Sequence, residues 1–167
     1  ISGEPFALPN GDTFVGLENY LRGLTSAGFL AAFGRSVFIT VASVALIVLC
    51  TSMTAWYLIR VKNRLTKVLY YLFVFSMIVP FQMVMFTMTY VVGRIGFNNV
   101  LGIVPVYLGF GAGLSVFMFS GFIKSIPLDI EEAATIDGCS PWQCFIHVVF
   151  PVLRPTAVTV AILNAMW

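Results

Sequence analysis

The stretch 36-SVFITVASVALIVLCTSMTAWYLI-59 carries no charge over 24 residues and is bracketed by Arg35 and Arg60. At a rise of about 1.5 Å per residue, a helix of that length reaches about 36 Å, enough to cross a hydrocarbon core of about 30 Å. Two further runs repeat the pattern. Val68 to Val92 is uncharged over 25 residues between Lys67 and Arg94, and Val104 to Ile123 runs 20 residues up to Lys124. A single Lys, Arg or Asp at the centre of such a helix costs about 2.5–3.5 kcal/mol on insertion scales, so the charges collect at the ends. These lengths favour membrane spans over buried helices of a large soluble core, and their repetition excludes a cleaved signal peptide.

Composition agrees with that solvent. Hydrophobic residues make up 59% of the chain and charged residues 10%, against about 45–50% and about 25% in soluble domains. A net charge of +2 spread over nine basic and seven acidic residues gives no basic block of the kind that binds nucleic acid, which is set aside as a partner. The last apolar run, 152–167, gives only about 24 Å of helix, and the chain opens on Ile1. The expectation is therefore a piece of a longer protein, truncated at both ends, whose final span continues past Trp167.

Orientation follows from basic residues. The connector 60-RVKNRLTK-67 holds four Lys/Arg, whereas 93-GRIGFNNVLGI-103 holds only Arg94, so the first is expected in the cytoplasm. Alternation then gives an extracytoplasmic segment 1–35, spans at 36–59, 68–92 and 104–123, a cytoplasmic loop 60–67 and an extracytoplasmic loop 93–103. A cytoplasmic loop 124–151 and a partial span 152–167 complete the order. The fold class is all-α, a multi-span membrane helix bundle.

The loop is unusual for such a chain. In 125-SIPLDIEEAATIDGCSPW-142, four of the seven acids (Asp129, Glu131, Glu132, Asp137) fall within nine positions. Pro127 suits a first helical turn, and Asp129, Glu131 and Glu132 lie near the N-terminal end, where the macrodipole favours carboxylates. Gly138 is a natural stop. Ser140, Pro141 and Gln143 form a second start signal with the spacing of a capping box. Trp142, Phe145, Ile146 and Val149 follow as an apolar stripe. Two short helices meeting at a bend are expected, with Ala133 and Ala134 leaving room for another protein's backbone beside the carboxylates. A plain connector needs only a few residues, so a docking element is favoured over a solvated loop.

The same residues carry a resemblance. The segment 132-EAATIDG-138, nine residues, then 148-VVFP-151 is similar to the EAA motif, E-A-A-x3-G-x9-I-x-L-P, of ABC importer permeases; Val148 and Phe150 replace isoleucine and leucine. The run 125–145, 55-AWYLIR-60, the Pro80 to Asn99 pattern and Trp167 resemble the carbohydrate-uptake type, similar to the second maltose permease subunit. The resemblance implies the type I importer permease bundle, with one span before and one after this chain. It implies docking of the loop into a cleft of a cytoplasmic ATP-binding subunit dimer, through Glu131, Glu132, Ala133, Ala134, Asp137 and Gly138. Glu132 would pair with a basic residue of that subunit, and Gly138 would allow the bend. A second permease subunit, an extracytoplasmic solute-binding protein and membrane lipid are the other implied partners, and the solute stays open.

Catalytic readings are weak. No G-x4-G-K-[ST] phosphate loop is present, so ATP hydrolysis belongs to a partner and no cofactor is expected. Cys139, Cys144 and His147 lack the fourth ligand of a structural zinc site. Cys50 lies in a span, and no disulfide is expected in a reducing compartment. Inside the spans, Pro80 with Gln82 nearby should kink the second helix by freeing the carbonyl near Ser76. Gly109 and Gly113 read as a G-x-x-x-G packing face, and Asn164 should face protein. A channel or secondary transporter is disfavoured because the three complete spans hold no ionisable residues for ion coupling or selectivity; a membrane scaffold would also tolerate the docking block.

Overall fold

The computed structural model describes residues 16–26 and 28–166. The expectations for residues 1–15 and for Trp167 lie outside the described residues. The chain divides into two units, Ile1–Phe38 and Ile39–Trp167. The first holds α1 (Glu18–Ser26) and the beginning of α2 (Phe29–Arg60). The second holds the rest of α2, α3 (Arg64–Ser76), α4 (Phe81–Ile95), α5 (Ile103–Ile123), α6 (Asp129–Ile136), α7 (Pro141–Cys144) and α8 (Phe150–Ala165). A single π-turn over Phe145–Val149 joins the last two.

The first span is longer than its uncharged stretch. The helix α2 begins at Phe29, just after Gly28 with its positive φ of 61°, and Arg35 lies inside it. A charge limits what lipid can cover, whereas a helix ends where the backbone breaks, and Arg35 on its long stem is fully compatible with a helical position near the membrane edge. At the other end the expected loop 60–67 shrinks to Val61–Asn63. Asn63 caps α3 by accepting from the Thr66 N–H at 2.7 Å, and the Asn63 N–H donates in turn to Thr66 Oγ1 at 3.2 Å.

The second span differs most from expectation. It is not one rod but two helices, α3 and α4, bent by 104° at the break between Ser76 and Phe81. Pro80 caps α4 with an extended backbone, φ −63° and ψ 137°. A proline pushes its predecessor out of the α region and has no N–H to give, so the chain leaves the helical path instead of merely kinking. At about 20 Å and about 22 Å, neither half crosses a bilayer alone.

Among the described residues, three helices are long and apolar enough to cross by themselves: α2, α5, and the continuous rod Pro141–Ala165. The uncharged run 104–123 lies in α5. The rod departs from the expected picture of two short helices, because the second runs on without a break into residues 152–165. Its π-turn, in which the Phe150 N–H donates to the Phe145 carbonyl, sits directly ahead of Pro151. In a regular α-turn that proline ring would press on the His147 carbonyl; the wider turn relieves it.

Packing within the second unit follows helical periodicity. Ser43, Ile47, Thr51, Ala55 and Leu58 recur every three or four residues and form the buried face of α2; Leu153, Ala157 and Val160 do the same on α8. The helix α5 packs on both α3 and α8, and buries Gly113, Val116, Phe119, Ser120 and Ile123. Small residues let these backbones approach, as expected where lipid removes any hydrophobic drive between helices. A Cβ on Gly113 would stand 2.8 Å from the Phe73 carbonyl, and one on Gly111 2.7 Å from Ile47 Cδ1, while Gly109 has open space. The close contact is therefore made by Gly111 and Gly113, not by the G-x-x-x-G pair. Asn164 faces protein as expected, donating to Ser115 Oγ at 3.2 Å and to the Val160 carbonyl at 2.9 Å. Outward-facing side chains such as Val41, Leu49, Leu72 and Phe86 are large, apolar and exposed.

Candidate docking site

The block after α5 is built by local rules. The N–H groups of Ser125 and Ile126 donate to the Phe122 and Ile123 carbonyls at 2.9 and 3.1 Å, turning the chain out of α5. Pro127 then sits one residue ahead of the cap residue Leu128, not in the first turn as expected. Asp129, Glu131 and Glu132 occupy that first turn, where their charge meets the positive end of the helix dipole.

The helix α6 stops by a Schellman motif. The Cys139 N–H donates to the Ala134 carbonyl and the Gly138 N–H to the Thr135 carbonyl, both at 3.0 Å, with Gly138 left-handed at φ +86°. Ser140 begins the next helix at once. Its N–H donates to Gln143 Oε1 at 2.8 Å, the Gln143 N–H returns to Ser140 Oγ at 3.4 Å, and Pro141 fills the first helical position. The bend therefore takes four residues, 137–140, and the N–H of each is bonded.

Side chains divide between two faces. Glu132, Ala133, Asp137 and Gly138 are exposed and Ala134 is buried, so Ala134 packs inward and does not line an open surface. Of the expected stripe, Phe145 and Val149 are buried, while Trp142 and Ile146 stay largely exposed. Ile136, at 85%, is the most exposed large apolar residue of the block.

Glu131 behaves differently from Glu132. Its Oε1 accepts from Arg60 Nε at 2.9 Å and from Arg60 Nη2 at 2.6 Å, and its Oε2 accepts from Trp56 Nε1 at 2.9 Å. Arg60 Nη2 also donates to the Ile126 carbonyl at 3.1 Å. The Trp56 ring lies 5.4 Å from that of Phe145. With only 8% of the Glu131 side chain and 19% of the Arg60 side chain open, this carboxylate is engaged within the chain and not held out for a partner. Removing one member of a fully buried pair costs about 3–5 kcal/mol; the open fifth of Arg60 lowers that here. The sequence treats Arg60 only as a sidedness marker. The available signal is the i, i+4 spacing of Trp56 and Arg60, which puts both on one face at the end of α2.

These contacts also fix which helix ends lie together. Lys124 Nζ stands 5.3 Å from the Tyr70 ring centroid, so the C-terminal end of α5 lies beside α3 as well as beside Arg60. Deeper along, Gly113 meets Ser76 and Phe73. The short connector 61–63 and the docking block are thus at the same end of the bundle, and α3 reaches only about half-way along α5 before it breaks. Toward the opposite end of α5, a groove of about 800 Å³ between α4, the turn 97–100, α5 and Ile39 is apolar apart from Thr89, Asn98, Asn99 and Tyr107. Cys139, Cys144 and His147 do not converge: the His147 ring contacts the Gln143 carbonyl at 3.0 Å, and among the described residues no group of three His, Cys, Asp or Glu is placed to hold a metal.

Residues 47–167 match the family described as the binding-protein-dependent transport system inner membrane component. The chain belongs to that family. Curated relatives agree. A probable starch degradation products transport system permease protein, AmyC, of Thermoanaerobacterium thermosulfurigenes is 39% identical over 90% of this chain and 55% of its own length. The multiple sugar-binding transport system permease protein MsmG of Streptococcus mutans is 34% identical over 97% of this chain and 58% of its own. The diacetylchitobiose uptake system permease protein NgcG of Streptomyces coelicolor is 30% identical over 98% and 54%. The chain thus spans a little over half the length of these relatives. As an inner-membrane component with several spanning helices it is a multi-pass membrane protein, and its relatives are transport permeases, not named enzymes.

Proposed function

We propose that the chain is part of a permease subunit of an ATP-driven importer for a sugar or oligosaccharide, driven through the block 124–151. The observation that carries this reading is the exposed edge of α6: Glu132, Ala133 and Asp137 stand beside a left-handed Gly138 and a freshly capped second helix. A carboxylate flanked by a methyl-sized side chain suits a basic residue presented by a close-packed partner, and such a pair is worth more when partly desolvated. The sugar is suggested by the names of the relatives, three of which refer to starch products, multiple sugars or diacetylchitobiose.

In this reading the connector 61–63 and the docking block face the cytoplasm, because Arg60, Lys62, Arg64 and Lys67 cluster there. The broken pair α3–α4 and the following turn together make one passage to the outer side, and α5 returns. Closure of an ATP-binding subunit dimer pushes on α6, and the movement passes to the spans. Hydrolysis takes place in that dimer. A second permease subunit completes the pathway, lipid covers the outward apolar faces, and a solute-binding protein delivers the sugar outside.

The full-length permease, expressed with the products of its neighbouring genes, should copurify with an ATP-binding subunit. Its ATP hydrolysis should rise when sugar-loaded binding protein is added. Glu132→Lys should insert normally yet lose both copurification and uptake. Normal uptake by Glu132→Lys would remove the docking assignment.

A further inference from the structure

The two adjacent acids of α6 have opposite fates, and the inward one has no part in docking as described above. Glu131 is closed off by three donors from α2 and by its own helix, and the segment it joins is 71 residues distant in sequence. Arg60 is used twice, on the carboxylate and on the Ile126 carbonyl, so one guanidinium ties both the entry turn of the block and the first turn of α6 to the cytoplasmic end of α2. Both guanidinium nitrogens converge on the same oxygen, which leaves the second oxygen for the Trp56 indole. That indole is held in turn against Phe145, a fully buried side chain at the start of the π-turn. A single carboxylate thus connects α2, α6 and the rod that begins at Pro141.

We infer that Glu131, Arg60 and Trp56 form a brace that makes α6 and the end of α2 one mechanical body, with Glu131 as a positioning residue for energy coupling. This rests on the docking reading of the block. Without the brace, α6 is held by the turn 124–128, the bend 137–140 and its packing on the start of the rod, and a push on its outer edge reaches α2 only by way of them. With it, the push is delivered directly to α2. A charge-assisted, largely desolvated pair suits this purpose because it is short, directional and costly to leave half-made. An exposed pair would be screened and compliant.

The test uses two readouts. Cys144, at the start of the rod, is buried, and α6 packs on that part of the chain, so in a Cys50→Ser, Cys139→Ser background its rate of maleimide labelling in the detergent-purified full-length permease, measured across pH so that each variant's change in thiolate fraction is divided out, reports how firmly α6 is seated. Glu131→Ala, Glu131→Gln and Arg60→Glu should each raise that rate, by at least about tenfold for Glu131→Ala. The reversed pair Arg60→Glu with Glu131→Arg should return toward the parent rate. In the reconstituted importer the single variants should still bind the ATP-binding subunit but hydrolyse more ATP per sugar transported, and the reversed pair should restore part of the ratio. Unchanged labelling in Glu131→Ala overturns the brace, as does faster labelling with fully normal coupling. If the parent protein binds no ATP-binding subunit, the importer reading fails, while the labelling rates still decide whether the brace exists.

Discussion

At position 138 the backbone must be left-handed for the carbonyls of Ala134 and Thr135 to be satisfied and for Ser140 to open the next helix. A Cβ there meets nothing within 4 Å, so the penalty for a side chain is conformational and not steric. Alanine should cost about 1–2 kcal/mol of local stability and valine more, since a β-branched residue is a true outlier at positive φ. Uptake should fall in the order glycine, alanine, valine, with membrane insertion unaffected; equal uptake by Gly138→Val and the parent would mean the bend does not shape the docking surface. This residue was legible in the sequence because a cap is a local device, written within about six positions. Glu131 was not, because adjacent acids look alike until a third dimension shows which one faces Arg60 and Trp56.

Elements were legible in proportion to how far they depend on their own residues. The limits of α5 follow from an uncharged run that ends at Lys124. Composition cannot give direction, however, so the run 68–92 has the content of one span and the path of two helices; Pro80 marks the place of the break and not its angle of 104°. The G-x-x-x-G spacing in α5 marked a closely packed helix but not its contacts: Gly113 meets α3, Gly111 meets Ile47 and Asn164, and Gly109 meets nothing, since contact depends on which face meets which neighbour. That difference is measurable. Gly113→Ala places a methyl against the Phe73 carbonyl and the Ser76 side chain, and should destabilise the α3–α5 contact by about 1–3 kcal/mol. Gly109→Ala enters open space and should be neutral or slightly stabilising. Apparent melting temperatures of the two variants in detergent should separate accordingly, and a Gly113→Ala protein as stable as Gly109→Ala would contradict the packing.

On the scale of the whole molecule, the account depends on one end of the bundle. Arg60, Lys124 and the block 124–151 meet there, the proposed topology puts that end in the cytoplasm on the strength of the basic connector, and Glu132 and Ile136 are exposed on it. Membership of the family was legible because its motif is contiguous, 132-EAATIDG-138 with Pro151 at a fixed offset. The directed push from an ATP-binding subunit onto α6 is the central claim, and a contact formed in living cells tests it most directly. A photoreactive amino acid at position 136, whose side chain is exposed and outside every long span, should on illumination of intact cells capture an ATP-binding subunit, more so when nucleotide keeps that subunit closed. Capture of lipid alone, or of proteins from the outer side of the membrane, would contradict the account.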